Sequence, residues 1–193
     1  DLFSAMHDVG IAEVSLEVGE WERAIHELTS ARDESADELA ANHLSWSLFR
    51  FATWRGDDVT AEMARLIAWA EGFNEPGARD SVHDLRSQVA FASGDFLVAC
   101  DEAMAFAPSD AVNAPIAYLQ AGLAALMAAD VDRAAAALAA YVGVARHGLL
   151  FTLDQRLLRA GLMGLDGRSS EALREGRAVL GEDLLEGKRL GPE

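Results

Sequence analysis

Apolar positions along the chain recur every three to four residues, the spacing of one face of an α-helix, and no stretch shows the period of two that a half-buried strand requires. The periodic segments fall into pairs. First members are predicted over about 2–17, 35–54, 78–92, 114–127 and 151–164, and second members over about 20–32, 57–72, 95–107, 131–146 and 168–180. The breaks are punctuated by Asn74-Glu75-Pro76-Gly77 and Pro108-Ser109-Asp110. Asn113-Ala114-Pro115 opens a helix, where proline's missing N–H costs nothing.

The turns inside the pairs repeat. Gly19-Glu20-Trp21-Glu22-Arg23-Ala24, Gly56-Asp57-Asp58-Val59-Thr60-Ala61, Gly94-Asp95-Phe96-Leu97-Val98-Ala99 and Gly167-Arg168-Ser169-Ser170-Glu171-Ala172 share one continuation. Ala129-Asp130-Val131-Asp132-Arg133-Ala134 fits with alanine in the glycine's place. The anchors lie 37, 38, 35 and 38 residues apart, and alanine follows five positions after each. A fixed period of this length marks stacked supersecondary units. Glycine takes the left-handed conformation that ends one helix, and the acidic residue behind it in four of the five turns is placed to cap the next. The fifth-position alanine then lets two helices approach closely.

This spacing resembles the tetratricopeptide repeat family over nearly the whole chain. The family's small residue seven positions before the turn is matched by Ala12, Ser87, Gly122 and Ala160, with Phe49 the exception. Its alanine twelve positions after the turn is matched by Ala31 and Ala68, but replaced by Phe106, Tyr141 and Val179 in the later repeats. The family's terminal proline and helix-A tryptophan are not in register. The resemblance implies an all-α fold of about five stacked antiparallel helical hairpins forming a TPR-like right-handed α-solenoid. The hairpins span about 1–33, 34–73, 74–108, 109–147 and 148–180, so one repeat domain covers 1–180, with a short capping helix or tail over 181–193. In general character the array is similar to divergent arrays in large bacterial signalling and transcription-regulating proteins.

Composition supports the helical reading: the 193 residues hold 37 alanines and 25 leucines against four prolines. Charge is uneven. Residues 1–110 hold 7 Lys/Arg against 22 Asp/Glu, whereas residues 111–193 hold 9 against 10, giving the net −16. An acidic surface without a basic stripe argues against nucleic acid as a partner. A well-solvated surface is the ordinary reading of that charge, and attraction of a basic protein or peptide the sharper one. The lone Cys100 sits in an apolar helical stretch, which fits a reducing, cytoplasmic setting and a buried inert thiol. The longest strongly apolar stretch, Ala134–Val144, is too short to span a bilayer. The chain does not begin with Met, and we expect it to be a segment of a longer protein whose other domains are also candidate partners.

Chemistry-bearing motifs are few. His7, His26, His43, His83 and His147 form no metal-ligand spacing, and Asp57-Asp58 lacks the oxygen ladder of a calcium loop. The run Gly161 to Ser170 has no lysine and no preceding strand, so it is no phosphate loop. The expectation is a non-catalytic protein without cofactor or metal. In the resembling family the first helices line a concave groove. Carried over by register, its groove positions fall on Val9, Glu13 and Glu17; on His43, Trp46, Arg50 and Trp54; on Asp84, Gln88 and Phe91; and on Leu119, Leu123 and Met127. Trp46, Arg50 and Trp54 stand at i, i+4 and i+8 on one face, and Trp and Arg dominate binding hot spots. Helical aromatic stripes are more often core, so packing and groove-lining both remain open for Trp46, Phe49 and Trp54. No Lys/Arg/Asn cluster suited to gripping a C-terminal carboxylate is present. The expected role is a protein-interaction scaffold, with a small-ligand or peptide sensor of a signalling protein as the alternative.

Overall fold

The computed structural model describes residues 7–12, 19–72, 76–107, 114–144 and 149–189, with side chains left aside at 76–80, 149–150 and 182–189. The described residues are helical throughout apart from their turns, and no strand occurs among them. In chain order the helices are α1 (the helical residues 7–12), α2 (Trp21–Glu34), α3 (Glu38–Arg55), α4 (Thr60–Gly72) and α5 (Pro76–Ala92). They continue with α6 (Phe96–Phe106), α7 (Ala114–Met127), α8 (Val131–Val144), α9 (Leu149–Leu165) and α10 (Ser169–Arg189). The largest boundary difference is at the end of the chain. Helix α10 runs unbroken to Arg189, because no glycine turn or proline intervenes before Gly191-Pro192, so 181–189 continue it rather than forming a separate cap.

All five turn anchors occupy the left-handed region: Gly19 (φ 85°), Gly56 (82°), Gly94 (82°), Gly167 (80°) and Ala129 (56°). Four of these turns close with the same pair of backbone bonds. At the second, Gly56 N–H donates to Thr53 C=O and Asp57 N–H to Ala52 C=O, and the pattern recurs at Gly94, Ala129 and Gly167. This 5→2 and 6→1 pairing satisfies carbonyls that a helix end leaves open. Capping by the acid behind the anchor is less uniform than expected. Asp130 Oδ1 accepts from Arg133 N, but at the second turn the cap is Asp58, one residue later, and Glu20 and Asp95 make no side-chain cap bond. Asp57 instead pairs with Arg55.

The repeat positions sort by depth. The residue seven before the anchor is buried in all five repeats, including the large Phe49. The fifth-position alanine is fully buried as Ala24, Ala99 and Ala134, partly buried as Ala172 and exposed as Ala61, so the close approach expected at that position is absent from the second repeat.

Contacts gather the chain into two compact units, Asp1–Gln88 and Val89–Glu193, with the division inside α5. In unit 1, α2 packs on α3 and α3 on α4, around Ala12, Ala24, Leu28, Ala40, Leu44 and Phe51. In unit 2 successive helices from α6 to α10 pack in order and α7 also meets α9. Its main core is eight alanines and Cys100. Two glycines extend this close packing: a Cβ on Gly122 would stand 2.8 Å from Leu158 Cδ2, and one on Gly161 would run into Leu126 Cδ1. Among the described residues no helix is long and apolar enough to cross a membrane.

Candidate interaction site

Helix α3 is long and buried on more than one side, carrying Leu44, Phe49 and Phe51 inward together with Asn42, Ser45, Ser47 and Thr53. Three of its polar side chains bond to the preceding turn, Asn42 Nδ2 donating to Glu38 C=O, Ser45 Oγ to Ala41 C=O and Thr53 Oγ1 to Phe49 C=O, and Asn42 Oδ1 also accepts from Arg65 Nη1 of α4 at 2.9 Å. Asp37 starts the helix by accepting from Leu39 N and Ala40 N at 3.0 and 3.3 Å. What remains for the outward stripe is Trp46, Arg50 and Trp54, one turn apart.

The stripe meets α5 one repeat later in sequence. Trp46 Nε1 donates to Asp84 Oδ2 at 3.3 Å, and Gln88 Nε2 donates to the same oxygen at 2.9 Å. The first bond spans 38 residues, the repeat length, so two register-equivalent positions of neighbouring first helices meet. At the other end of the stripe the Arg50 guanidinium lies 5.2 Å from the Trp54 ring centroid, a cation–π distance. Trp54 is 54% exposed, its ring 5.9 Å from that of the buried Phe51. The two readings of the aromatic stripe therefore divide by residue. Phe49 is core at 1% exposure, Trp54 is a surface ring tilted against Phe51, and Trp46 is half-buried and polar-bonded. Gln88 is 6% exposed and its Oε1 is buried without a donor, an arrangement that costs on the order of 1–3 kcal/mol.

The remaining sequence-derived positions lie elsewhere. His43 is exposed one turn before Trp46 on α3, and Val9 packs against the unit 1 core. Phe91 belongs to unit 2, where it packs against the alanine cluster, edge-on to Phe96 at 5.4 Å; its ring is occupied by core packing. Leu119 and Leu123 are half-buried on α7, and Met127 is 61% exposed at its end. Glu13 and Glu17 lie outside the described residues. The structure thus joins Trp46, Asp84 and Gln88 directly, with Arg50 and Trp54 continuing the stripe. The Asp84–Gln88 bond went unread in the sequence, although its i, i+4 spacing on a helix is the available signal.

Other titratable groups are accounted for by packing. Cys100 is 1% exposed, and burial first, then Asp101, pushes its thiol above the ordinary range, so it stays protonated and unreactive at neutral pH. Asp58 is held below the usual carboxylate range by the Thr60 backbone N–H, as a helix cap would be. Gly167 is a helix-ending turn rather than part of a phosphate cradle. Among the described residues no three His, Cys, Asp or Glu side chains are grouped to hold a metal ion. Compared with protein-family models, curated proteins and solved structures, the chain gives no match.

Proposed function

We propose that the chain is a non-catalytic interaction scaffold that holds a protein or peptide partner on the α3–α5 face of unit 1, within a larger regulatory protein. The observation that supports this reading is the exposed Trp54 with Arg50 over its ring, continuous with the Trp46–Asp84–Gln88 cluster. Such a face offers the partner a large apolar ring that loses little entropy on binding, flanked by a guanidinium and a carboxylate that fix orientation. The surrounding unit carries 7 Lys/Arg against 18 Asp/Glu, a net of −11, which draws a basic partner and slows its release at low salt.

The test is affinity capture from a lysate of the native organism at low and high salt, comparing wild type with Trp54→Ser and with Trp46→Ala/Arg50→Glu. Trp54→Ser removes a ring that is more than half exposed, so its melting temperature should match wild type. A client lost in both variants and released by salt supports the reading. A client retained by both moves the interface off α3.

A further inference from the structure

The last helix sorts its side chains by face. At about 100° per residue, Leu173, Arg177 and Leu180 of α10 fall within roughly 60° of one another, with position 188 (Lys) beside them. Glu171, Glu175 and positions 182 and 186 (both Glu) gather within roughly 60° on the opposite side. On that side Glu175 is held by the protein, its Oε1 accepting from Arg156 Nε of α9 at 2.6 Å. The other side faces solvent, with Leu173 62% and Leu180 60% exposed and Arg174 and Arg177 exposed and in no ion pair among the described residues. A solvated helix ordinarily mixes both charge signs with little apolar surface. Between 173 and 180 every exposed residue is leucine or arginine, so this stretch complements a surface that is apolar and acidic.

Unit 1 carries such a surface. At the α2–α3 corner Glu34, Asp37 and Glu38 are exposed around Leu39, itself 37% exposed. Glu34 and Glu38 have no basic partner among the described residues, and Asp37 is engaged only in capping α3. We propose that the Leu173–Leu180 face of α10 docks on the Glu34–Leu39 corner of a second copy of this chain, head to tail. The contact pairs two different surfaces; stacked head to tail, each added copy leaves one of each open, so association propagates beyond a dimer unless it closes into a ring. It is independent of the α3–α5 stripe, and its small area makes it weak and concentration-dependent.

Sedimentation velocity on the full chain from about 1 to about 300 μM, at roughly 0.15 M salt to screen the overall negative charge, tests the proposal. Wild type should pass from monomer to dimer and longer species. Arg174→Glu/Arg177→Glu and, separately, Glu34→Lys/Glu38→Lys should each weaken association at least about tenfold while far-UV circular dichroism stays unchanged. Mixing the two variants should restore it, because each reversed face then meets a reversed corner. Should charge reversal lower helicity, Arg174→Gln/Arg177→Gln carries the same expectation. A wild type that stays monomeric, a closed dimer that grows no further, or a mixture that fails to associate overturns the proposal.

Discussion

The two units follow one repeat register yet fill it differently. Unit 1 buries side chains of mixed character: every buried polar residue described, from Asn42, Ser45, Ser47 and Thr53 to Ser87 and Gln88, belongs to it. Among the described residues unit 2 buries none of these side-chain types and packs alanine on alanine, with Gly122 and Gly161 admitting the leucines of facing helices. The position twelve after the turn shows the same contrast. It is the half-buried Ala31 and exposed Ala68 in unit 1, but the buried Phe106, Tyr141 and Val179 in unit 2. Close backbone approach thus goes with large side chains filling the ends of the hairpins in unit 2. Unit 1 keeps polar groups inside and carries the net −11, against −5 (9 Lys/Arg, 14 Asp/Glu) in unit 2.

Removing the largest buried side chain of unit 2 is the strongest way to break this contrast. Tyr141 is fully buried and donates from its hydroxyl to Asp154 Oδ2 at 2.8 Å. Tyr141→Ala should destabilise by about 3–5 kcal/mol, measured by chemical denaturation. Ala68→Gly at the matching exposed position should cost no more than about 1 kcal/mol, the helix-propensity difference. Comparable losses would mean that the two units do not differ in packing at this register.

The fifth-position alanines give a smaller contrast. Ala99→Leu should overpack the alanine core and cost about 1–3 kcal/mol, whereas Ala61→Leu on the exposed equivalent should stay within about 0.5 kcal/mol. A neutral Ala99→Leu would remove close approach as the principle of unit 2. Weaker still is the turn at Ala129, the non-glycine anchor at positive φ. Ala129→Gly should raise stability by up to about 1 kcal/mol through relief of the Cβ–carbonyl clash, read as a higher Tm, while Gly56→Ala should lower it by a similar amount.

The smallest effect is a pH dependence of opposite sign in the two units. Burial holds the Asp154 carboxyl above its ordinary pKa, with the Tyr141 hydrogen bond acting against it. Its ionised form therefore opposes folding, and stability gains as pH falls through the raised value toward the unfolded one. Asp58 in unit 1 is shifted downward, so its contribution is present above the unfolded pKa and lost as pH falls through the folded one. Melting curves from pH 7 to about 4 should show wild type gaining on Asp154→Asn as pH falls. A constant difference would mean that Asp154 is solvated in the native state.

Much of this was legible in the one-dimensional pattern. The five anchors at 35 to 38 residues mark all five left-handed turns among the described residues, even at Ala129, because a helix ending in that conformation is a local event set by a few consecutive residues. The helix of 114–127 matches its predicted span for the same reason. Depth was not legible in this way. Ala24 and Ala61 occupy the same register, yet one is buried and the other exposed, since burial depends on which helix arrives opposite. The candidate site divides likewise. Spacing put Trp46, Arg50 and Trp54 on one face, and the 38-residue period placed Asp84 at the position equivalent to Trp46, with Gln88 one turn on. Only packing separated the buried Phe49 from the exposed Trp54, and only packing joined Trp46 to Asp84. Local sequence sets backbone turns and helical faces through short-range sterics and hydrogen bonds. Which faces become core, and which side chains meet 38 residues apart, is decided by the competition of all the helices for the same apolar surface.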